Sequence, residues 1–125
     1  MARATRPFFL NPMQIQMPVG ALSSIVHRAT GVLLAGSVPF AVYLLDLSLR
    51  SEHAFAAVTS LFARPAVKGV ALVLIWALAH HALAGIRHLL TDVSIGSTLN
   101  AARRSAWWVN LGGVTIALFA AGVLL

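Results

Sequence analysis

His80-His81-Ala82-Leu83-Ala84-Gly85-Ile86-Arg87-His88-Leu89-Leu90-Thr91-Asp92 closes a long apolar run that begins near Val67. Counted from about Ala66 to Leu90, the run is long enough to cross a bilayer as a helix, since about 20 apolar residues span the hydrocarbon core. Ionisable side chains on such a helix are expensive, so each needs a partner or a task. A helix turns by about 100° per residue, which puts His81, Gly85, His88 and Asp92 on one narrow stripe. His80 lies one step around the helix, and spacing leaves open which of the two adjacent histidines does the work.

Two further apolar runs flank this one. The first extends from about Ser23 to Leu49; Pro18 blocks helix upstream, Ser23 or Ser24 can cap the start, and Pro39 predicts a kink. The third runs from Trp107-Trp108, an anchor at headgroup level, to Leu125. Within it Gly113, Ala117 and Ala121 are spaced by four, a small-residue face that lets another helix approach closely. Residues 50–65 and 91–105 read as connecting loops, the first with room for an interfacial turn. Residues 1–22 form a basic, proline-interrupted arm containing Arg3, Arg6, Pro7 and Pro12. The apolar segment after it is too long for a cleavable signal peptide and carries His27-Arg28 near its start. The predicted fold is therefore an all-α membrane protein with three transmembrane helices, 23–49, 66–90 and 107–125, in one anchor domain spanning 1–125.

Composition agrees. The 125 residues are 59% hydrophobic and 10% charged, against about 25% charged in a soluble domain. The absence of cysteine excludes disulfides, thiolate zinc sites, iron–sulfur ligation and cysteine nucleophiles within this chain. Three acidic residues, Asp46, Glu52 and Asp92, leave little material for paired-carboxylate catalysis. The net charge of +6 does not point to nucleic acid, because the arginines sit at the ends of apolar runs, where lipid headgroups account for them. Arg3, Arg6, Arg28, Arg87, Arg103 and Arg104 fall on one side of a three-span layout; Arg50, Arg64 and Lys68 fall on the other. The positive-inside rule then puts the N-terminus in the cytoplasm and the C-terminus outside, in an inner (cytoplasmic) membrane.

That orientation brings Ser24 and Arg28 to the same membrane end as Arg87, His88 and Asp92. On the first helix Ser24, Arg28 and Gly31 share a face. A hydroxyl and a guanidinium there can hydrogen-bond a quinone carbonyl, and the guanidinium can neutralise a haem propionate; a capped helix with a snorkelling arginine explains the same residues more plainly. The second-helix stripe offers an imidazole for iron, a side-chain-free gap at Gly85 for a flat ring, and polar groups near the surface. Packing histidines that hydrogen-bond across helices are the bland alternative for His80 and His81, and a solvated helix end for His88 and Asp92. Zinc is poorly served, with few ligands from one helix. A second axial ligand to haem comes more easily from another subunit than from His27, near a membrane end.

Ser24-Ile25-Val26-His27-Arg28-Ala29-Thr30-Gly31, taken with His81 through Asp92, resembles the cytochrome b subunit of succinate dehydrogenase, the larger membrane anchor of respiratory complex II. The family pattern is S-x-x-H-R-x-[ST]-G early in the first span and H-x-x-x-G-x-R-H-x-x-x-D closing the second. Arg6-Pro7 and the three-span layout also fit, so the resemblance covers nearly the whole chain. It implies a helical bundle shared with a second small membrane anchor subunit, one haem b between the two, and docking of the iron–sulfur subunit and the flavoprotein subunit. His81 matches the haem iron ligand. His27, Arg28 and His88 match residues near the haem propionates. Ser24, Arg28 and Asp92 match the surroundings of ubiquinone. His80 departs from the pattern, standing where some relatives carry an aromatic residue. A fumarate reductase anchor using menaquinone, or a helical scaffold without cofactor, are the alternatives. The chain by itself is not expected to be a catalyst.

Overall fold

The computed structural model describes residues 18–125; the arm before Pro18, with Arg3 and Arg6-Pro7, lies outside the described residues. Four helices follow in order: α1 (Val19–Arg50), α2 (Glu52–Phe62), α3 (Pro65–Asp92) and α4 (Leu99–Leu124). Of these, α1, α3 and α4 are long and apolar enough to cross a membrane. The 32 residues of α1 extend ~48 Å at 1.5 Å per residue, more than a hydrocarbon core requires.

Helix boundaries differ from the predicted spans because a span marks where the chain enters lipid, whereas a helix starts where its backbone is capped. Pro18 is the N-cap of α1, so neither Ser23 nor Ser24 caps it, and Ser23 is buried inside the bundle. The helix continues unbroken through Pro39. The expected loop at 50–65 is mostly the 11-residue helix α2. The Ser51 hydroxyl caps it by accepting from the Ala54 amide at 3.1 Å, and Glu52 favours its positive end. Pro65 then stands at the first helical position of α3, where its missing N–H costs nothing. The expected loop at 91–105 shrinks to six residues, because Thr98 caps α4 through the Ala101 amide. Ser94 and Gly96 make that short reversal with positive φ, 65° and 71°.

The spanning helices run up, down and up. α3 and α4 are antiparallel along their length. Lys68 Nζ, near the start of α3, donates to the Leu124 carbonyl at the end of α4 at 2.6 Å, where the helix dipole welcomes a cation. At the other end, Arg87 Nε donates to Ser105 Oγ at 2.9 Å. Contact between helices is carried by small residues: Ala77 and Ala84 on α3, Ala106 and Gly113 on α4, all buried. Small side chains let backbones approach, which is how helices associate without a hydrophobic driving force. Most large apolar side chains, among them Val32, Phe40, Leu89, Trp108 and Phe119, stay exposed, as expected of surfaces that face lipid or another subunit.

Candidate functional site

The site lies where α1 crosses the second half of α3. Its inner face on α1 is Ser23, His27, Thr30 and Gly31. His27, Thr30 and Gly31 meet α3, and the buried Ser23 shares their helix face, since positions separated by three, four and seven residues fall together. Ser24 and Arg28 lie one step around; Ser24 is half-buried and Arg28 is exposed. Gly31 packs beside His81 of α3, while Arg28 on the same helix face is exposed.

His81 is the centre. Its Nδ1 donates to the His27 carbonyl at 3.1 Å, with the Thr30 hydroxyl 3.4 Å away. A carbonyl can only accept, so the proton sits on Nδ1 and the lone pair on Nε2 is left for a ligand. Thr30 Oγ1 itself lies 2.8 Å from the Val26 carbonyl and 2.9 Å from the His27 carbonyl, its possible acceptors. Gly31 is needed for the fit, because a Cβ there would stand 2.9 Å from His81 Cε1.

The His27 ring stacks on His81 with centroids 4.2 Å apart and planes within 19°. On its other side it faces His88, at 5.0 Å and 21°. The space opposite Gly85 is therefore taken by His27, whose Nε2 would be 3.7 Å from a Cβ at that position; it is not the open slot for a flat ring that the sequence implied. His88 Nδ1 donates to the Ala84 carbonyl at 2.7 Å. Asp92, the last residue of α3, is exposed at the same end. Three of the four stripe residues, His81, Gly85 and His88, thus converge on one α1 side chain.

His80 points elsewhere. It is 1% exposed and its Nε2 donates to Asn110 Oδ1 on α4 at 3.0 Å. That bond leaves the lone pair on Nδ1, which is buried and has no partner. The adjacent histidines therefore carry opposite tautomers. His81 keeps Nε2 available beside α1, while the remaining lone pair of His80 is enclosed in the protein.

The donor set fits a haem held through His81, whose Nε2 lone pair would bind the iron. His27 lies against the face of the His81 ring rather than at its Nε2 edge. No cluster of three or more metal-ligating side chains occurs among the described residues.

Thr30 and Asn110 are the residues that sequence reasoning passed over, and Arg87, which it placed at this membrane end, has contacts it did not foresee. Arg87 Nη2 lies 3.3 Å from the Ala102 carbonyl, beside the Ser105 contact, and 3.6 Å from where a Cβ on Gly20 would be. It thereby ties α3 to α4 within reach of the start of α1. It also borders a cavity of about 390 Å³ shared with Thr91, Ser105 and Trp108. A larger apolar groove of about 590 Å³ lies further along α1 and α3, between Gly36, Phe40 and Val70; neither includes His81. Asn110 was visible in principle, as a lone amide within an apolar run.

A sequence model described as the succinate dehydrogenase/fumarate reductase transmembrane subunit matches residues 2–121. A succinate dehydrogenase cytochrome b556 subunit from Paracoccus denitrificans is 30% identical over 120 residues, covering 93% of this chain and 89% of the relative. One of the same description from Coxiella burnetii is 31% identical over 121 residues, covering 96% of each. With three membrane-length helices and a match over almost its full length, the chain belongs to the succinate dehydrogenase/fumarate reductase transmembrane subunit family.

Proposed function

We propose that this chain is the haem b-bearing membrane anchor of a succinate:quinone oxidoreductase. It works with a second small anchor, an iron–sulfur subunit and a flavoprotein. The observation that carries the reading is the His81 Nδ1–His27 carbonyl bond of 3.1 Å, which selects the tautomer a metal needs. A hydrogen bond on the far nitrogen is the usual support of a metal-bound imidazole. The names of the two relatives, both succinate dehydrogenase cytochrome b556 subunits, favour haem b and succinate oxidation over fumarate reduction.

Bound there, haem b supplies a one-electron redox centre within the bilayer. His81 would hold the iron, and the partner anchor would supply a further ligand. His27, Arg28 and His88 are the polar groups available to the propionates. Ser24, Arg28 and Asp92 serve ubiquinone at the cytoplasmic end: the hydroxyl and guanidinium donate to a carbonyl oxygen, and Arg28 balances negative charge as the ring is reduced. The exposure of Arg28 supports this role. The protein's own share is positioning and electrostatics, while the cofactors carry the electron chemistry. The N-terminus faces the cytoplasm and the C-terminus the outside, on the charge distribution given above.

Two measurements on the purified complex test the proposal. His81→Ala should abolish or alter the b-type band in a dithionite-reduced minus oxidised spectrum; an assembled variant with an unchanged spectrum would remove His81 as ligand. Arg28→Leu should lower ubiquinone reduction and leave succinate oxidation by an artificial acceptor intact. Equal loss of both activities would make Arg28 structural.

A further inference from the structure

His80 is not a ligand on this geometry, yet it is the largest fully buried side chain among the described residues. Leaving its Nδ1 unpartnered costs stability that an apolar side chain would not incur. What His80 gains in exchange is one directional bond, Nε2 to Asn110 Oδ1 at 3.0 Å. It also gains close support. Gly113 of α4 approaches so tightly that a Cβ there would stand 3.2 Å from His80 Cβ and 3.4 Å from its Cα. The Trp76 ring lies 5.8 Å away on the third side.

We infer that His80 is a positioning residue: its bond to Asn110 sets the roll of α3 about its own axis and thereby the aim of His81 Nε2. The inference rests on the haem reading above. Neighbouring positions on a helix are separated by about 100°, so His80 locks α3 against α4 while His81 faces α1. Contacts between small residues tolerate rotation, whereas a hydrogen bond between two planar groups does not. A side-chain tip lies ~5–6 Å from the helix axis, so a roll of about 10° would move it by ~1 Å. Functional geometries need to be held within about 0.5 Å and 10–20°.

The test uses the assembled complex with His80→Leu, His80→Gln and Asn110→Ala. Haem content, the low-temperature EPR gmax of the ferric haem and its midpoint potential are measured in each. The Leu and Ala variants should keep haem but shift both gmax and potential. The Gln variant should restore both, because its amide nitrogen can occupy the place of Nε2. Asn110→Ala removes atoms from α4 without touching α3, so it decides the matter if His80→Leu fails to assemble. Wild-type gmax and potential in the Leu or Ala variants would overturn the inference, as would a Gln variant shifted as far as Leu. Haem lost from His80→Leu but kept in His81→Ala would make His80 the ligand and overturn it too. Absence of haem from the wild-type complex would instead refute the haem reading itself.

Discussion

Gly31→Ala would place a methyl carbon 2.9 Å from Cε1 and 3.4 Å from Nδ1 of His81. Comfortable carbon contacts begin near 3.5 Å, so the imidazole has to retreat by roughly 0.5 Å. The His27 carbonyl lies on the same side of the ring as Gly31, one turn earlier on α1. Retreat therefore also stretches the Nδ1–carbonyl bond from its 3.1 Å to about 3.6 Å, beyond hydrogen-bond range. Losing that bond costs ~0.5–1.5 kcal/mol and overpacking ~1–3 kcal/mol, offset by ~1 kcal/mol gained from alanine in a helix. The net cost is about 0.5–3.5 kcal/mol, which loosens haem by roughly 2- to 400-fold if it falls on the bound form. The assay is haem per complex from the reduced-minus-oxidised spectrum, read beside the thermal unfolding midpoint. Gly36→Ala is the control, because a Cβ at Gly36 meets nothing within 4 Å and brings only the helix gain. Equal haem content and equal midpoint in the two variants would refute the claim that Gly31 shapes the seat of His81.

Other outcomes follow from the same contacts. Gly113→Ala should destabilise the complex more than Gly112→Ala, although the latter's Cβ is closer to its neighbour, 2.9 Å against 3.2 Å. Gly112 would press on the Cδ1 end of Leu83, which can change rotamer, whereas Gly113 would press on His80 Cβ and Cα, which the backbone fixes; unfolding midpoints compare them. Arg87→Leu removes the contacts to Ser105 and the Ala102 carbonyl and should cost about 1–3 kcal/mol. Retention of the wild-type thermal midpoint would show that α3 and α4 hold together there without it. Lys68→Met removes the donor to the Leu124 carbonyl and should cost about 0.3–2 kcal/mol, with haem content unchanged; a loss of haem would mean the two ends of the bundle are coupled.

Much of this protein is legible one residue at a time. Hydropathy alone marks three spans, because lipid demands that the backbone bond to itself and that nearly every side chain be apolar. The same logic marks His27, Arg28, His80, His81, His88 and Asp92 as costly residues and puts them toward one membrane end. Capping is less legible. Ser51 and Thr98 start helices that composition reads as loops, since a hydroxyl's role depends on which backbone amide it meets.

Only the tertiary structure divides His80 from His81. The two are chemically identical and differ by one step of rotation, so what distinguishes them is what stands opposite. For His81 that is the His27 carbonyl, which holds a proton on Nδ1 and leaves Nε2 to bind. For His80 it is Asn110, which holds the proton on Nε2 and buries the other lone pair. Gly85 makes the same point from the other direction: its missing side chain announces a space, but only the packing of α1 against α3 shows that His27 fills it.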